Sequence, residues 1–335
     1  MTEKDRIYFS RLEDTFKLNF KITNLYARYL ELCPELITKE MIDLLTEGGA
    51  LTREEAIVAI LSEAFGLDID GSAEERKLIR DYLIPSVRML DAKRYTENPY
   101  YKNIRVENIK DGAWEYRCES YPAYRGVICH DMIINEDLSE IPPLGFFPEE
   151  FKFPAVLEDG NEWMTLTPVD LDTSDEAIEA ARGKVVTFGL GLGYYAYMCS
   201  EKPEVESITI IEKSPDVIRL FRTHILPQFG HPEKVRIIEA DAFEYAEKDM
   251  PAECYDLAFV DTWRDASDGT PMYERMKPLE RLSPNTKFLY WIENFLISRR
   301  RAVAYEKVSN MLRSGDKDAP RSFDEALSII TREAE

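Results

Sequence analysis

An apolar run followed by closely spaced glycines, within residues 184–196, constrains the fold of this chain most. Glycines stand at every second position after Phe188, as Gly189, Gly191 and Gly193, and a helix-like segment follows them. A strand-to-helix turn needs glycine where the backbone takes a positive φ or approaches a ligand, and the first N–H groups of the next helix are free for polar ligand atoms. The stretch predicts a strand that opens onto a cofactor-binding loop, although a tight turn in any α/β domain gives the same pattern.

The spacing of these glycines argues against a dinucleotide-binding loop. Such loops have the pattern Gly-x-Gly-x-x-Gly. Here the third glycine, Gly193, comes one position early and is followed by the bulky Tyr194. The close helix packing of nicotinamide- and flavin-binding loops is therefore not expected.

Four further runs typical of strands each end at an acidic residue, with helical patterns between them. The runs are 205–211 before Glu212, 235–238 before Glu239 and the nearby Asp241 and Ala242, 255–260 before Asp261, and 287–292 before Glu293. Any single acid here could merely cap the next helix. However, the carboxyl ends of parallel strands share one rim where ligands bind, so the ordered set favours a binding site.

With these residues, the chain resembles the class I S-adenosylmethionine-dependent methyltransferases over roughly residues 160–295, and within them most the branch that includes spermidine synthases. The resemblance implies an α/β fold with a Rossmann-like, doubly wound, mostly parallel sheet. A small helical region and a small antiparallel β region would precede that sheet. S-adenosylmethionine is the implied cofactor.

The resemblance also implies roles for the residues of the rim. Glu212 would hold the ribose hydroxyls, and a carboxylate about twenty residues past the last glycine can accept from both of them. Asp261 would stand beside the methionine part of the cofactor and face the acceptor. The remaining implied roles are a cofactor loop made by Gly189, Gly191 and Gly193 and an adenine contact made by Asp241 with Ala242. Apart from the resemblance, the ring of Trp263 could cover the cationic sulfonium, or it could equally be a core or lid residue.

The predicted activity is methyl transfer to a small-molecule acceptor, with Asp261 as the catalytic residue that orients or deprotonates the acceptor. Spermidine synthases carry two aspartates three residues apart after the fourth strand, but here Arg264 stands at the second position and Asp265 follows it. Aminopropyl transfer to a polyamine is therefore the alternative. A further alternative is a cofactor-binding sensor or scaffold without catalysis.

The rest of the chain divides into regions by pattern. The pattern of residues 1–95 predicts four short helices, which would form a packing, lid or dimerisation module and allow a homodimer. Residues 96–160 should form a small β region with an irregular, proline-rich linker at 141–154. Residues 161–335 should form the Rossmann-like domain. A helix capped at Thr173 should lead into the glycine loop. The region after Phe295 reads as helical, and its arginine run, residues 299–301, as a solvated helix face.

Composition excludes several classes of function. Lys and Arg total 42 against 63 Asp and Glu, a net charge of −21 that disfavours nucleic acid as a partner. No membrane-spanning run and no secretion signal are seen, so a cytoplasmic protein is expected. The five cysteines form no Cys-x-x-Cys pair, so we predict no metal site and expect mostly buried free thiols.

Overall fold

The computed structural model describes residues 2–332 and 334, and its helices vary from single turns to one of 30 residues. The α-helices are α1 Glu3–Leu32, α2 Lys39–Thr46, α3 Arg53–Ala64, α4 Ala73–Leu78, α5 Ile84–Ser86, α6 Ala92–Thr96, α7 Pro99–Asn103, α8 Pro168–Ala180, α9 Tyr194–Ser200, α10 Pro215–Leu220, α11 Ala242–Lys248, α12 Met250–Glu253, α13 Ala266–Met276, α14 Glu293–Ser314 and α15 Phe323–Arg332. Short 3-10 or π turns occupy Glu47–Gly49, Ile79–Leu83, Phe221–Ile225, Leu226–Gln228, Pro232–Lys234 and Lys277–Leu282.

The strands are mostly short. They are β1 Val87–Met89, β2 Ile109–Asp111, β3 Trp114–Tyr121, β4 Gly126–Ile128, β5 Ile133–Ile134, β6 Glu140–Ile141, β7 Leu144–Phe146, β8 Phe151–Glu158, β9 Asn161–Thr165, β10 Gly183–Phe188, β11 Val205–Glu212, β12 Val235–Glu239, β13 Leu257–Val260 and β14 Lys287–Tyr290.

The last five strands form a parallel sheet in the order β12-β11-β10-β13-β14. The first strand in sequence, β10, is central, and the chain adds two strands on one side before it crosses to the other. Every residue of β13 is buried, as expected for the middle of a sheet covered on both faces. The predicted Rossmann-like fold class is confirmed. No reversed strand pair follows β14 in the part of the chain that the structure describes; α14 and α15 stand there instead.

A separate four-stranded antiparallel sheet, β2-β3-β8-β9, confirms the predicted small β region. The irregular linker predicted at 141–154 is wrong, because this segment contains β7 and the first half of β8. Pro154 is tolerated in β8 because it stands opposite Cys118, whose N–H donates to Asn108 instead. Cys118 and Pro154 thus form a non-hydrogen-bonded pair of the antiparallel ladder. At such a pair β3 does not need a hydrogen bond from the backbone nitrogen of the proline.

The helix before the glycine loop begins earlier than predicted. Helix α8 starts at Pro168, after Thr167, and Asp170 closes a capping box by accepting from the N–H of Thr167 at 2.8 Å. Thr173 lies inside the helix, where its hydroxyl donates to the carbonyl of Val169. The prediction erred because two Thr-x-x-acid patterns occur in succession, and proline at the first helical position favours the earlier one.

The contacts divide the chain into two compact units that interleave in sequence. One unit comprises the residues up to Leu90, Pro122–Glu149 and the residues from Asn294 onward; the other comprises Asp91–Tyr121 and Glu150–Glu293. This differs from the predicted consecutive segments 1–95, 96–160 and 161–335, because the C-terminal helices pack with α1. The ring of Tyr305 stacks on Phe16, for example, with centroids 4.1 Å apart.

The first unit contains α1–α5 and the mixed sheet β1-β7-β4. Two of its helices begin with capping boxes, α3 with Thr52 and Glu55 and α4 with Ser72 and Glu75. The four short helices predicted for residues 1–95 are wrong in one respect, because α1 is 30 residues long. Among the described helices of the chain, none combines the length and apolar character needed to cross a membrane. Three of the five cysteines are exposed, contrary to the expectation of mostly buried thiols.

Candidate functional site

A small cavity in the second unit lies at the carboxyl ends of β10 and β13. Gly189, the residue after β10, and Asp261, the residue after β13, both line it. These strands flank the point at which the sheet order reverses, the place where open α/β sheets bind their ligands. The cavity measures about 20 Å³, enough for one water-sized group. A nucleoside enters only when the side chains beside the loop move.

The glycines of the loop take the left-handed conformations that the sequence predicted, with φ of +97°, +50° and +73° at Gly189, Gly191 and Gly193. The close neighbours that require glycine are parts of the protein itself. A Cβ at Gly189 would overlap the carbonyl oxygen of Asp261, and one at Gly193 would overlap the ring of Phe221. The glycines therefore let strand ends and helices approach one another beneath the cavity.

Two N–H groups of the loop are engaged by side chains of the protein. That of Leu190 donates to Oε2 of Glu212 at 3.2 Å, and that of Leu192 points at the sulfur of Met164, also at 3.2 Å. Met164 belongs to β9, and its sulfur fills the space where a Cβ of Gly191 would lie. A ligand that binds to these N–H groups must displace Met164, Glu212 or both.

Glu212 lies at the end of β11, between the glycine loop and the start of α10. Its other oxygen, Oε1, accepts from the N–H of Ser214 at 2.8 Å. Burial raises the pKa of this carboxyl, while the hydrogen bonds from Ser214 and Leu190 oppose that rise. Each carboxylate oxygen can accept a second hydrogen bond, so the sequence-predicted contact with ribose hydroxyls is compatible with this geometry.

The predicted adenine residues lie outside the cavity lining. Asp241 is exposed and caps α11, where its Oδ1 accepts from the N–H groups of Phe243 at 3.0 Å and Glu244 at 3.1 Å. Ala242 is the first residue of that helix and is half-buried. In this structure the aspartate therefore has a capping role of its own, and its predicted adenine contact remains a prediction.

Two further residues after β13 also differ from their predicted surroundings. Trp263 is 6% exposed, and its ring is nearly parallel to that of Tyr290, with the centroids 6.4 Å apart. This contact corresponds to the alternative role of Trp263 as a core residue. Asp265 is exposed and caps α13 by accepting from the N–H of Ser267. Neither residue lines the cavity.

Asp261 does line the cavity, and a second carboxylate that sequence reasoning missed lines it as well. This is Asp170 of α8, whose Oδ2 accepts from both the N–H and the hydroxyl of Thr167. Burial raises the pKa of Asp261 to about 8, and the charge of Asp170 adds to that rise. Burial likewise raises the pKa of Asp170 to about 7. The cavity thus contains two carboxyl groups that are costly to ionise in the absence of a cation.

Comparison with known proteins gives little guidance. No known protein family and no curated protein matches the chain. Among solved structures it is similar to the spermidine synthase from Thermotoga maritima, with 15% sequence identity and a TM-score of 0.32. The similarity covers 59% of this chain and 62% of that one, less than two thirds of the synthase. This likeness is too distant to indicate a shared activity.

Proposed function

We propose that the chain is an S-adenosylmethionine-dependent methyltransferase that acts on a small-molecule acceptor. The observation that supports it best is the cavity at the switch point of the sheet, between the glycine loop and the carboxylate of Asp261. Ligands of open α/β sheets bind at this point. A cationic cofactor suits a cavity that is lined by two carboxyl groups, those of Asp170 and Asp261, because a positive charge would favour their ionised forms.

The residues present fit such a cofactor. Glu212 would accept from the ribose hydroxyls, and the loop from Gly189 to Gly193 would face the amino-acid part once Met164 moves. When bound, the cofactor supplies a methyl group already activated on a sulfonium. The chain then needs to hold the two reactants close and aligned, which can lower a bimolecular barrier by several kcal/mol. Asp261 would orient the acceptor and accept its proton.

The test is calorimetric titration of the protein with S-adenosylmethionine and S-adenosylhomocysteine, in the wild type and in Glu212→Gln. Loss of charge-assisted hydrogen bonds to the ribose should weaken binding about tenfold or more. Glu239→Gln is the matched control, because Glu239 ends the neighbouring strand β12 and is exposed. Melting temperatures without ligand show whether either variant is simply less stable.

Two results would contradict the proposal. One is the absence of heat and of any thermal shift at millimolar ligand, since a ligand that binds only the folded state must raise its apparent stability. The other is an equal dissociation constant in wild type and Glu212→Gln, which would remove the ribose role of Glu212. Methyl transfer itself is followed as S-adenosylhomocysteine formed with pooled metabolites as acceptors, and turnover should fall in Asp261→Asn.

A second candidate is a cofactor-binding protein without catalysis. The small cavity and the engaged N–H groups of Leu190 and Leu192 favour it. It predicts binding with no product from any acceptor. Aminopropyl transfer is supported less, because Asp265 caps α13 and is exposed; formation of spermidine from putrescine and decarboxylated cofactor would favour it instead.

A further inference from the structure

The side chain of Met164 lies against the glycine loop, in the space that a ligand of the loop would need. Its sulfur accepts from the N–H of Leu192 at 3.2 Å and fills the position of a Cβ at Gly191. A thioether sulfur is a weak acceptor, whereas the neighbouring N–H of Leu190 donates to the carboxylate of Glu212. A ligand oxygen would therefore be a better partner for the N–H of Leu192 than the sulfur is.

The loop that Met164 touches is held in place by other contacts. The hydroxyl of Tyr100 donates to the carbonyl of Leu192 at 2.6 Å, and Tyr100 is only 1% exposed. The N–H of Gly193 donates to the carbonyl of Leu190 at 2.8 Å. Because these contacts do not involve Met164, the loop can keep its conformation when the sulfur is exchanged for another acceptor.

Met164 itself belongs to a strand with few constraints. Strand β9 lies at the edge of its sheet, with β8 as its one neighbour among the described strands, and the register of this pair shifts between Val156 and Leu157. All five residues of β9 are exposed or half-buried. A methionine side chain also has three rotatable bonds. The thioether can therefore leave the loop by rotating, or together with β9.

The size of the cavity makes this movement necessary for a longer ligand. Met164 lines the cavity, which measures about 20 Å³ with the thioether in place. That volume holds a group of the size of water. A ligand chain that reaches the N–H of Leu192 must therefore take the place of the thioether, whereas a ligand that ends before the loop need not.

We propose that Met164 is a specificity-determining residue, which competes with the tail of an adenosyl ligand for the glycine loop. The proposal rests on the proposed function, in which the ribose of that ligand lies at Glu212. The apparent affinity for a ligand with a tail is reduced by the fraction of molecules in which the thioether has left the loop. The affinity for a ligand without a tail is not reduced in this way.

The experiment compares two ligands by calorimetric titration. S-adenosylhomocysteine has an amino-acid tail that ends in a carboxylate, and 5′-methylthioadenosine has a methyl group in place of that tail. The proteins are the wild type, Met164→Ala, which removes the thioether, and Met164→Leu, which keeps a similar volume. Met198→Ala is the matched control, because Met198 is half-buried like Met164 and is not part of the cavity lining.

Met164→Ala should bind S-adenosylhomocysteine about tenfold or more tightly than the wild type does, the gain expected when the competent state is populated at a tenth or less. Its affinity for 5′-methylthioadenosine should change by less than about twofold, since that ligand does not displace the thioether. Met164→Leu and Met198→Ala should bind neither ligand more tightly than the wild type. Melting temperatures without ligand show whether each variant is folded.

Two results would overturn the proposal. One is an affinity of Met164→Ala for S-adenosylhomocysteine that is no higher than that of the wild type. The other is an equal gain for both ligands, which would mean that the thioether does not distinguish a ligand with a tail from one without. Failure of the proposed function looks different, because neither the wild type nor Met164→Ala then binds either ligand.

Amide hydrogen exchange of the free protein decides the inference in that case, because it requires no cofactor. If the thioether covers the N–H of Leu192, exchange in a peptide that spans residues 189–193 should be severalfold faster in Met164→Ala than in the wild type or Met198→Ala. Faster exchange supports Met164 as the residue that closes the loop. Equal exchange in all three proteins would mean that the loop is not closed by Met164, and the inference would fall.

Discussion

Two carboxylates, the buried Glu140 in one compact unit and the half-buried Asp261 in the other, differ in what surrounds them. Glu140 is 4% exposed; its oxygens accept from Arg301 at 2.9 Å and from Ser298 at 2.6 Å. Asp261 has no donor among the described residues, and the charge that raises its pKa further is that of Asp170. Burial raises the pKa in both cases. A carboxylate whose two oxygens both have donors within the protein indicates a structural role, whereas a carboxylate without a donor beside a cavity favours a ligand site.

The largest effect on stability should come from removing the cationic partner of Glu140. Arg301→Met leaves Glu140 buried without its cation, and removing one partner of a buried pair costs about 3–5 kcal/mol. Chemical denaturation measures this loss. The matched control is Arg299→Met in the same arginine run, which should change stability by less than about 0.5 kcal/mol because Arg299 is exposed.

The double variant Glu140→Gln with Arg301→Met should recover much of the loss, since both charges are then gone. If Arg301→Met were as stable as the control, Glu140 would not depend on its partner and the contrast with Asp261 would fail. Either way, this arginine is not part of a solvated helix face, as the sequence suggested: Arg301 is 7% exposed.

A second effect on stability concerns the backbone at Gly189, beside the cavity at the carboxyl ends of β10 and β13. Gly189→Ala should lose roughly 2–4 kcal/mol, because the new Cβ overlaps the carbonyl of Asp261 at a positive φ. Gly160 also has a positive φ, +80° against +97° at Gly189, but open space surrounds the position of its Cβ. Gly160→Ala should therefore lose only about 1 kcal/mol. Denaturation of both variants separates the overlap from the strain. Equal losses of stability would mean that the backbone after β13 can move to accommodate the new Cβ. The surroundings of Asp261 would then be less rigid than those of Glu140.

The sequence predicted the secondary structure around the site better than the side chains that line it. The five strands and the glycine loop follow from local patterns, namely apolar runs of strand length and glycines at a turn, and all were confirmed. Asp170 was within reach of the same logic, because Thr167, Pro168 and Asp170 form a helix start. Its exposure to the cavity depends on the tertiary packing of α8, which no local pattern encodes.

The partners of Glu140 could not be predicted from local sequence patterns either. Glu140 and Arg301 are 161 positions apart, and nothing in a run of three arginines distinguishes the buried one. The early strand segment at 141–154 was missed because its prolines were read as breaks. In each case tertiary packing decided the outcome, and the sequence alone offered only a set of possibilities.

The smallest effect, and the sharpest test of the comparison, is the pH dependence of the free protein. The folded-state pKa of Asp261 is raised to about 8 from 3.8. Between these values the folded chain holds a proton that the unfolded chain releases, so the free energy of unfolding falls as pH rises. The contribution is fully present below about pH 4 and is lost as pH rises through about 8.

Asp261→Asn should remove this loss, because an amide has no proton to release. The variant should match the wild type near pH 4 and exceed it by roughly 1–3 kcal/mol at pH 8.5, the cost of a partly desolvated charge without a partner. Asp170, Glu162, Tyr194 and Tyr195 remain as nearby titratable groups, and Asp170 should keep part of the slope, since its own pKa is raised to about 7. Urea denaturation at several pH values measures both curves. A variant that is less stable than the wild type at pH 8.5 would mean that Asp261 has a partner within the protein, as Glu140 does, and the cavity would then need no ligand to complete it.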